Sequence, residues 1–163
     1  MKLSHVDDRG QPRMVDVSAK PVSQRTAVAE GAVRMSAEAF DQIRREAVAK
    51  GNVLGVAEVA GTMGAKRTGE LIPLCHPLAL DLVQVEAVAD RELPGVRVTA
   101  TARAAGRTGV EMEALTAVAI ACLTVYDLAK AVDRGMTIES VRLVSKAGGT
   151  RGDWHRTGDS IGR

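Results

Sequence analysis

The chain has 163 residues, 45% hydrophobic and 26% charged, with a net charge of +2, which bounds it to one soluble globular domain with a real core. No strong field directs it to nucleic acid or a membrane surface, and one Trp, one Tyr and one Phe make no stacking platform for single strands. The opening MKLSHVDDRG lacks a signal-peptide core, no charge-free apolar run reaches about 18 residues, and Cys75 and Cys122 form no CxxC, so the expectation is a reduced, cytoplasmic protein.

Taken in chain order, residues 1–13 are polar and expected to be flexible. Residues 26–35 are compatible with a strand that Gly31 weakens. SAEAFDQIRREAVAK (36–50) is an amphipathic helix capped by Ser36, with Phe40, Ile43, Ala47 and Val48 on one face and Gly51 as its stop. Residues 52–72 read as a second helix whose Gly55, Gly61 and Gly64 each cost about 1 kcal/mol against alanine, a cost that close approach of another backbone would justify. Within LIPLCHPLAL (71–80), Pro73 and Pro77 stiffen an apolar turn around His76. Residues 81–89 and 95–104 alternate with period two and, joined by Asp90 to Pro94, predict a hairpin. Residues 111–133 predict a long helix, 137–147 a last strand, and from about 150 to 163 a flexible Gly-rich tail. The order β-α-α-β-β-α-β predicts an α+β, ferredoxin-like domain over 1–163, an antiparallel sheet with helices on one face.

The long helix is apolar nearly all round, which predicts burial at an interface between subunits. It opens Thr108-Gly109-Val110-Glu111, the spacing of a capping box. Asp127 and Lys130, spaced i, i+3 among apolar neighbours, predict either a local ion pair or a buried functional pair. Glu113, Thr116, Asp127 and Lys130 share one stripe, yet Glu113 and Asp127 stand about 21 Å apart along the axis. One small-molecule site cannot use both ends of one helix, so the spacing predicts composite sites built from two antiparallel copies. Only six of the 22 basic residues are lysine, and Lys2, Lys20, Lys50, Lys66, Lys130 and Lys146 are candidates for chemistry that needs an amine able to lose its proton. Lys50 also suits a helix C-terminus, Lys66 a solvated helix end, and KAGGTRGD either a phosphate cradle or a tail. Adjacent Cys75 and His76 give only a weak metal signal.

MVDVSAK (14–20), KGNV (50–53), GAKRT (64–68), LIPLCHPL (71–78), RTGVEMEALTA (107–117), TVYDLAKAV (124–132) and VRLVSKAGGTRGD (141–153) resemble the molybdenum-cofactor biosynthesis protein C family over nearly the whole chain. These are the cyclic pyranopterin monophosphate synthases. The resemblance implies a single catalytic domain, a lyase that converts the 3′,8-cyclised 7,8-dihydro-GTP made by a preceding radical enzyme to cyclic pyranopterin monophosphate and pyrophosphate. It implies a homohexamer, a trimer of dimers with sites at dimer interfaces, and no metal or other cofactor. It implies Asp127, Lys50 and Lys130 as catalytic residues, and Leu74, Cys75, His76, Met112, Glu113, Lys66, Glu111 and Lys146 as substrate-binding. The alternative is a non-catalytic nucleotide-binding oligomer, which needs anion-binding arginines but no buried lysines.

Overall fold

The computed structural model describes residues 4–45, 52–150 and 152–158. Five strands form one antiparallel sheet in the order β2-β3-β1-β4-β5, where β1 is Ser23–Arg34, β2 Leu82–Asp90, β3 Gly95–Gly106, β4 Thr137–Ala147 and β5 Trp154–His155. Strand β3 lies between its hairpin partner β2 and β1, the ferredoxin-like arrangement. The period-two segments therefore became strands within a residue or two of their expected bounds. The tail differs: residues 154–155 return as an edge strand, a pairing too short to leave a periodic signal.

Among the described residues four helices join the strands: α1 (Ala37–Arg44), α2 (Val53–Lys66), α3 (Thr68–Leu71) and α4 (Glu111–Ala129). Ser36 caps α1, its hydroxyl accepting from the Ala39 N–H at 3.3 Å, and Phe40 and Ile43 are buried. Ala47, Val48, Lys50 and Gly51 lie outside the described residues. The segment 52–72 is two helices rather than one. The Thr68 hydroxyl donates to Ala65 O at 3.0 Å, a side-chain bond that competes with the helical ladder where α2 ends.

Small residues set the spacing between the layers. Buried Ala27, Ala29 and Val33 of β1 sit opposite Ala102, Ala100 and Val96 of β3. Between them Gly31 faces α4 so closely that an added Cβ would stand 2.6 Å from Val118 Cγ1. Helix α2 packs on α4 and β2, and α4 crosses β1, β3 and β4. An added Cβ on Gly61 would stand 2.8 Å from Ala117 O, so of the three α2 glycines Gly61 marks close backbone approach, whereas Gly64 faces the Ile120 side chain and Gly55 that of Asn52. By length and hydropathy α4 matches a membrane span, but half of that stretch is buried against the sheet and α2. Its outer side leaves Leu123 53% exposed, and on α2 Val59 and Met63 are 62% and 50% exposed.

Candidate active site

The antiparallel register brings distant segments to one end of the sheet. Ser23 lies opposite Gly106 and Ala27 opposite Lys146, so the start of β1, the end of β3 and the end of β4 coincide. Helix α4 starts there, five residues after β3, and the 72–80 loop arrives there before β2. Two adjoining cavities of ≈200 and ≈220 Å³ open at this end and share His5, His76, Thr108, Gly109 and Glu111 in their walls.

One half is basic. Lys20, Arg25, Arg107 and Lys146 line it, and Glu111 is the one carboxylate among its lining residues. Arg25 is buried at 9% exposure on the helix-facing side of β1, and its Nε donates to Gly106 O at 3.3 Å. Arg107 Nε donates to Lys20 O at 3.1 Å, tying the 14–20 segment to the start of α4. The anticipated capping box does not form. Helix α4 has Val110 at its N-cap with no side-chain cap bond; the Glu111 carboxylate folds over Gly109 and pairs with Lys146 at 3.3 Å. Any side chain at 109 would collide with it. The long-range cation wins over the local i, i+3 geometry because that pair is three-quarters shielded from solvent, where attraction is screened less.

The other half is lined by Leu74, Cys75, His76, Met112 and Glu113 among others. Glu113 is buried at 4% exposure, and burial pushes its carboxyl above the usual 4.5; the nearby Glu111 charge adds to this, while its own backbone N–H pulls the other way. Burial, followed by the Glu113 charge, also raises the Cys75 thiol, which keeps it protonated at neutral pH and disfavours a nucleophilic role. The proline-flanked apolar turn is half-buried: Leu74, Cys75 and His76 are partly covered and Pro73 and Pro77 are exposed. Asp16 beside it has a lowered pKa, held chiefly by hydrogen bonds from the Ser18 hydroxyl and N–H at 2.7 and 2.9 Å, with a smaller contribution from His76.

The crevice thus unites Leu74, Cys75, His76, Glu111, Met112, Glu113 and Lys146. It excludes three expected site residues. Lys66 is exposed at the end of α2 and lines neither half. Asp127 and Lys130 lie at the far end of α4, and they are not buried in this chain: their side chains are 55% and 52% exposed and bond at 2.5 Å. Angular position predicted one stripe, but only its Glu113–Thr116 end is buried. Lys50 lies outside the described residues. Arg25, Arg107 and His5 were not singled out as site residues, and Lys20 was marked only as one of six candidate amines. Arg25 carried a usable signal, since an arginine sharing parity with Ala27, Ala29 and Gly31 must enter the helix-facing layer.

An α+β domain with a basic crevice ending on a buried carboxyl has the charge distribution of a small-molecule enzyme site. A family model described as the MoaC family matches residues 14–149. Relatives from Brucella ovis, Brucella melitensis and Brucella suis, each named cyclic pyranopterin monophosphate synthase, are 58% identical to it over 153 residues, covering 94% of this chain and 93% of each relative. The chain belongs to the MoaC family.

Proposed function

We propose that the chain is a cyclic pyranopterin monophosphate synthase, a cytoplasmic lyase that converts 3′,8-cyclised 7,8-dihydro-GTP to cyclic pyranopterin monophosphate with release of pyrophosphate. The observation that carries the reading is the joined crevice, four cations on one side and His76 with a protonation-prone Glu113 on the other. The relatives of that name, at 58% identity, support it. The reaction opens a five-membered ring by hydrolysis, closes the pterin ring and cyclises a phosphate onto a sugar hydroxyl as pyrophosphate leaves. These are proton transfers with charge stabilisation, work for amines, carboxyls and imidazole. Lys20, Arg25, Arg107 and Lys146 receive the triphosphate, whose charge suits their potential. Glu111 orients Lys146, and Leu74, Cys75, His76, Met112 and Glu113 contact the base and sugar.

Asp127, Lys50 and Lys130 then supply proton transfer, with Lys66 nearby, from a second chain in a homohexamer built as a trimer of dimers. The separation of about 21 Å along α4 supports the two-chain site, because no single crevice spans it. Exposed Val59, Met63 and Leu123 offer apolar surface for such contacts.

A coupled assay with the preceding radical enzyme tests the reaction; binding of the cyclised nucleotide without pterin or pyrophosphate would instead favour the non-catalytic nucleotide-binding oligomer. Subunit exchange tests the composite site. Asp127→Asn and Glu113→Gln should each be inactive as pure oligomers, and mixed dimers should regain one intact pocket. No recovery despite confirmed exchange rejects the two-chain arrangement.

A further inference from the structure

Beyond Ala147 the chain turns away through Gly148 and Gly149, at φ +89° and +88°, and comes back as β5. The excursion is closed twice: the Gly148 N–H donates to Asp153 Oδ1 at 2.9 Å, and the Gly152 N–H to Gly149 O at 3.2 Å. Strand β5 places Trp154 directly opposite Lys146 and His155 opposite Ser145. Two ladder residues are a weak anchor for an edge strand. Arg156 reinforces them: its N–H donates to Val144 O at 2.8 Å, its Nε donates to Leu143 O at 2.8 Å, and its guanidinium lies 5.7 Å over the Trp154 ring. Neither Trp154 nor Arg156 lines the crevice. The segment they anchor does: Gly148 and Thr150 form part of the basic wall, and Gly149 packs on the Arg25 guanidinium more closely than any Cβ would allow.

We propose that Trp154 and Arg156 are positioning residues that clamp β5 to β4 and so hold Gly148–Thr150 against Arg25 and Lys146, fixing the basic half in the shape that grips a polyphosphate. The proposal rests on the polyphosphate reading of that half. Because the clamp touches no reacting atom, its loss weakens binding in the ground and transition states alike, which raises KM and spares kcat.

The test uses the full chain, with inorganic pyrophosphate as the binding probe and the coupled assay for turnover. Trp154→Ala and Arg156→Met should each raise the pyrophosphate Kd and the substrate KM roughly tenfold, with kcat within about twofold of wild type. Trp154→Phe keeps a ring beneath the guanidinium and should restore most of the affinity. Trp154 is the one tryptophan in the chain, so acrylamide quenching reads its release directly and should increase in Arg156→Met. If Trp154→Ala fails to fold, Arg156→Met carries the same test from an exposed position. An unchanged Kd in folded Arg156→Met, or a fall in kcat at constant KM, overturns the proposal. A wild-type chain that binds no pyrophosphate overturns it together with the polyphosphate reading. Pyrophosphate binding without synthase turnover counts against the reaction alone, and the clamp is then judged on Kd.

Discussion

Gly61→Ala sets two measurable effects against each other. In an unconstrained helix the change gains about 1 kcal/mol of propensity. Here the new Cβ would stand 2.8 Å from Ala117 O, 3.1 Å from Val85 Cγ1 and 3.2 Å from Ala121 Cβ. The nearest of these is backbone of α4 and cannot rotate aside, so α2 must move. Overpacking of this kind costs about 1–3 kcal/mol, and a backbone obstacle places it in the upper half, leaving a net loss of about 1–2 kcal/mol. Gly55→Ala in the same helix is the control: the three atoms nearest its added Cβ belong to the Asn52 side chain, closest at 3.1 Å, and that capping side chain can shift by a few tenths of an ångström while still accepting from the N–H of residue 55. Thermal melts at one protein concentration, which keeps any assembly equilibrium constant, should show Gly61→Ala lower by about 3–6 °C, at roughly 3 °C per kcal/mol for this length, and Gly55→Ala unchanged or higher. A Gly61→Ala protein as stable as Gly55→Ala would refute backbone contact between α2 and α4.

Lys130→Arg should keep the ion pair with Asp127 and change stability by no more than about 0.5 kcal/mol, because both partners are exposed. It should lower kcat at least about a hundredfold, since a guanidinium cannot release a proton near neutral pH; near-normal turnover would leave Lys130 an electrostatic role only. Glu113→Gln should be more stable than wild type at neutral pH. A carboxyl raised above 4.5 by burial contributes stability that is present below its unfolded pKa and lost as pH rises through its folded one, so the gap in Tm should open above about pH 4.5 and close below it. A gap independent of pH would remove burial of the charge as the cause. Gly149→Ala places a side chain at φ +88° and against the Arg25 guanidinium; it should cost about 1–2 kcal/mol of stability and weaken pyrophosphate binding more than tenfold, measured by calorimetry.

What could be read from the sequence depended on the range of the interaction. Strands β2 and β3 were legible because alternation is local, and the purpose of Gly61 was legible because its cost within a helix demanded a compensating contact. The break after Lys66 was not, because it depends on which carbonyls the Thr68 hydroxyl reaches once the helix exists. Glu111 was misread for a related reason: the sequence shows Thr108 three residues away, whereas the nearer cation, Lys146, is 35 residues distant and arrives only through the β1–β4 register. Arg25 was passed over because the strand was expected to start at 26; beginning at Ser23, it carries Arg25 into the buried layer. Seven of the expected site residues lie together in the crevice, while Asp127 and Lys130 show the limit of an angular argument, which fixes direction around a helix but not which stretch of it is buried.

The topology itself polarises the molecule. In this strand order β1 begins where β3 and β4 end, and the connection out of β3 opens directly into α4. Arg25, Arg107 and Lys146 therefore gather at one end of the sheet with the N-terminus of α4, whose exposed N–H groups add positive potential in the same direction. The Gly31 and Gly61 contacts hold α4 close enough for its first turn to face these cations. A carboxylate placed in such a field should titrate low, and Glu113 does the opposite, so desolvation outweighs the field at its position two residues into the helix. The field acts on whatever enters the crevice from solvent. Glu113 stands on a buried wall, where its proton is held more tightly than in water. One sheet end thus carries both a cluster of cations and, a single helical turn away, a carboxyl whose proton burial holds above the usual carboxylate range.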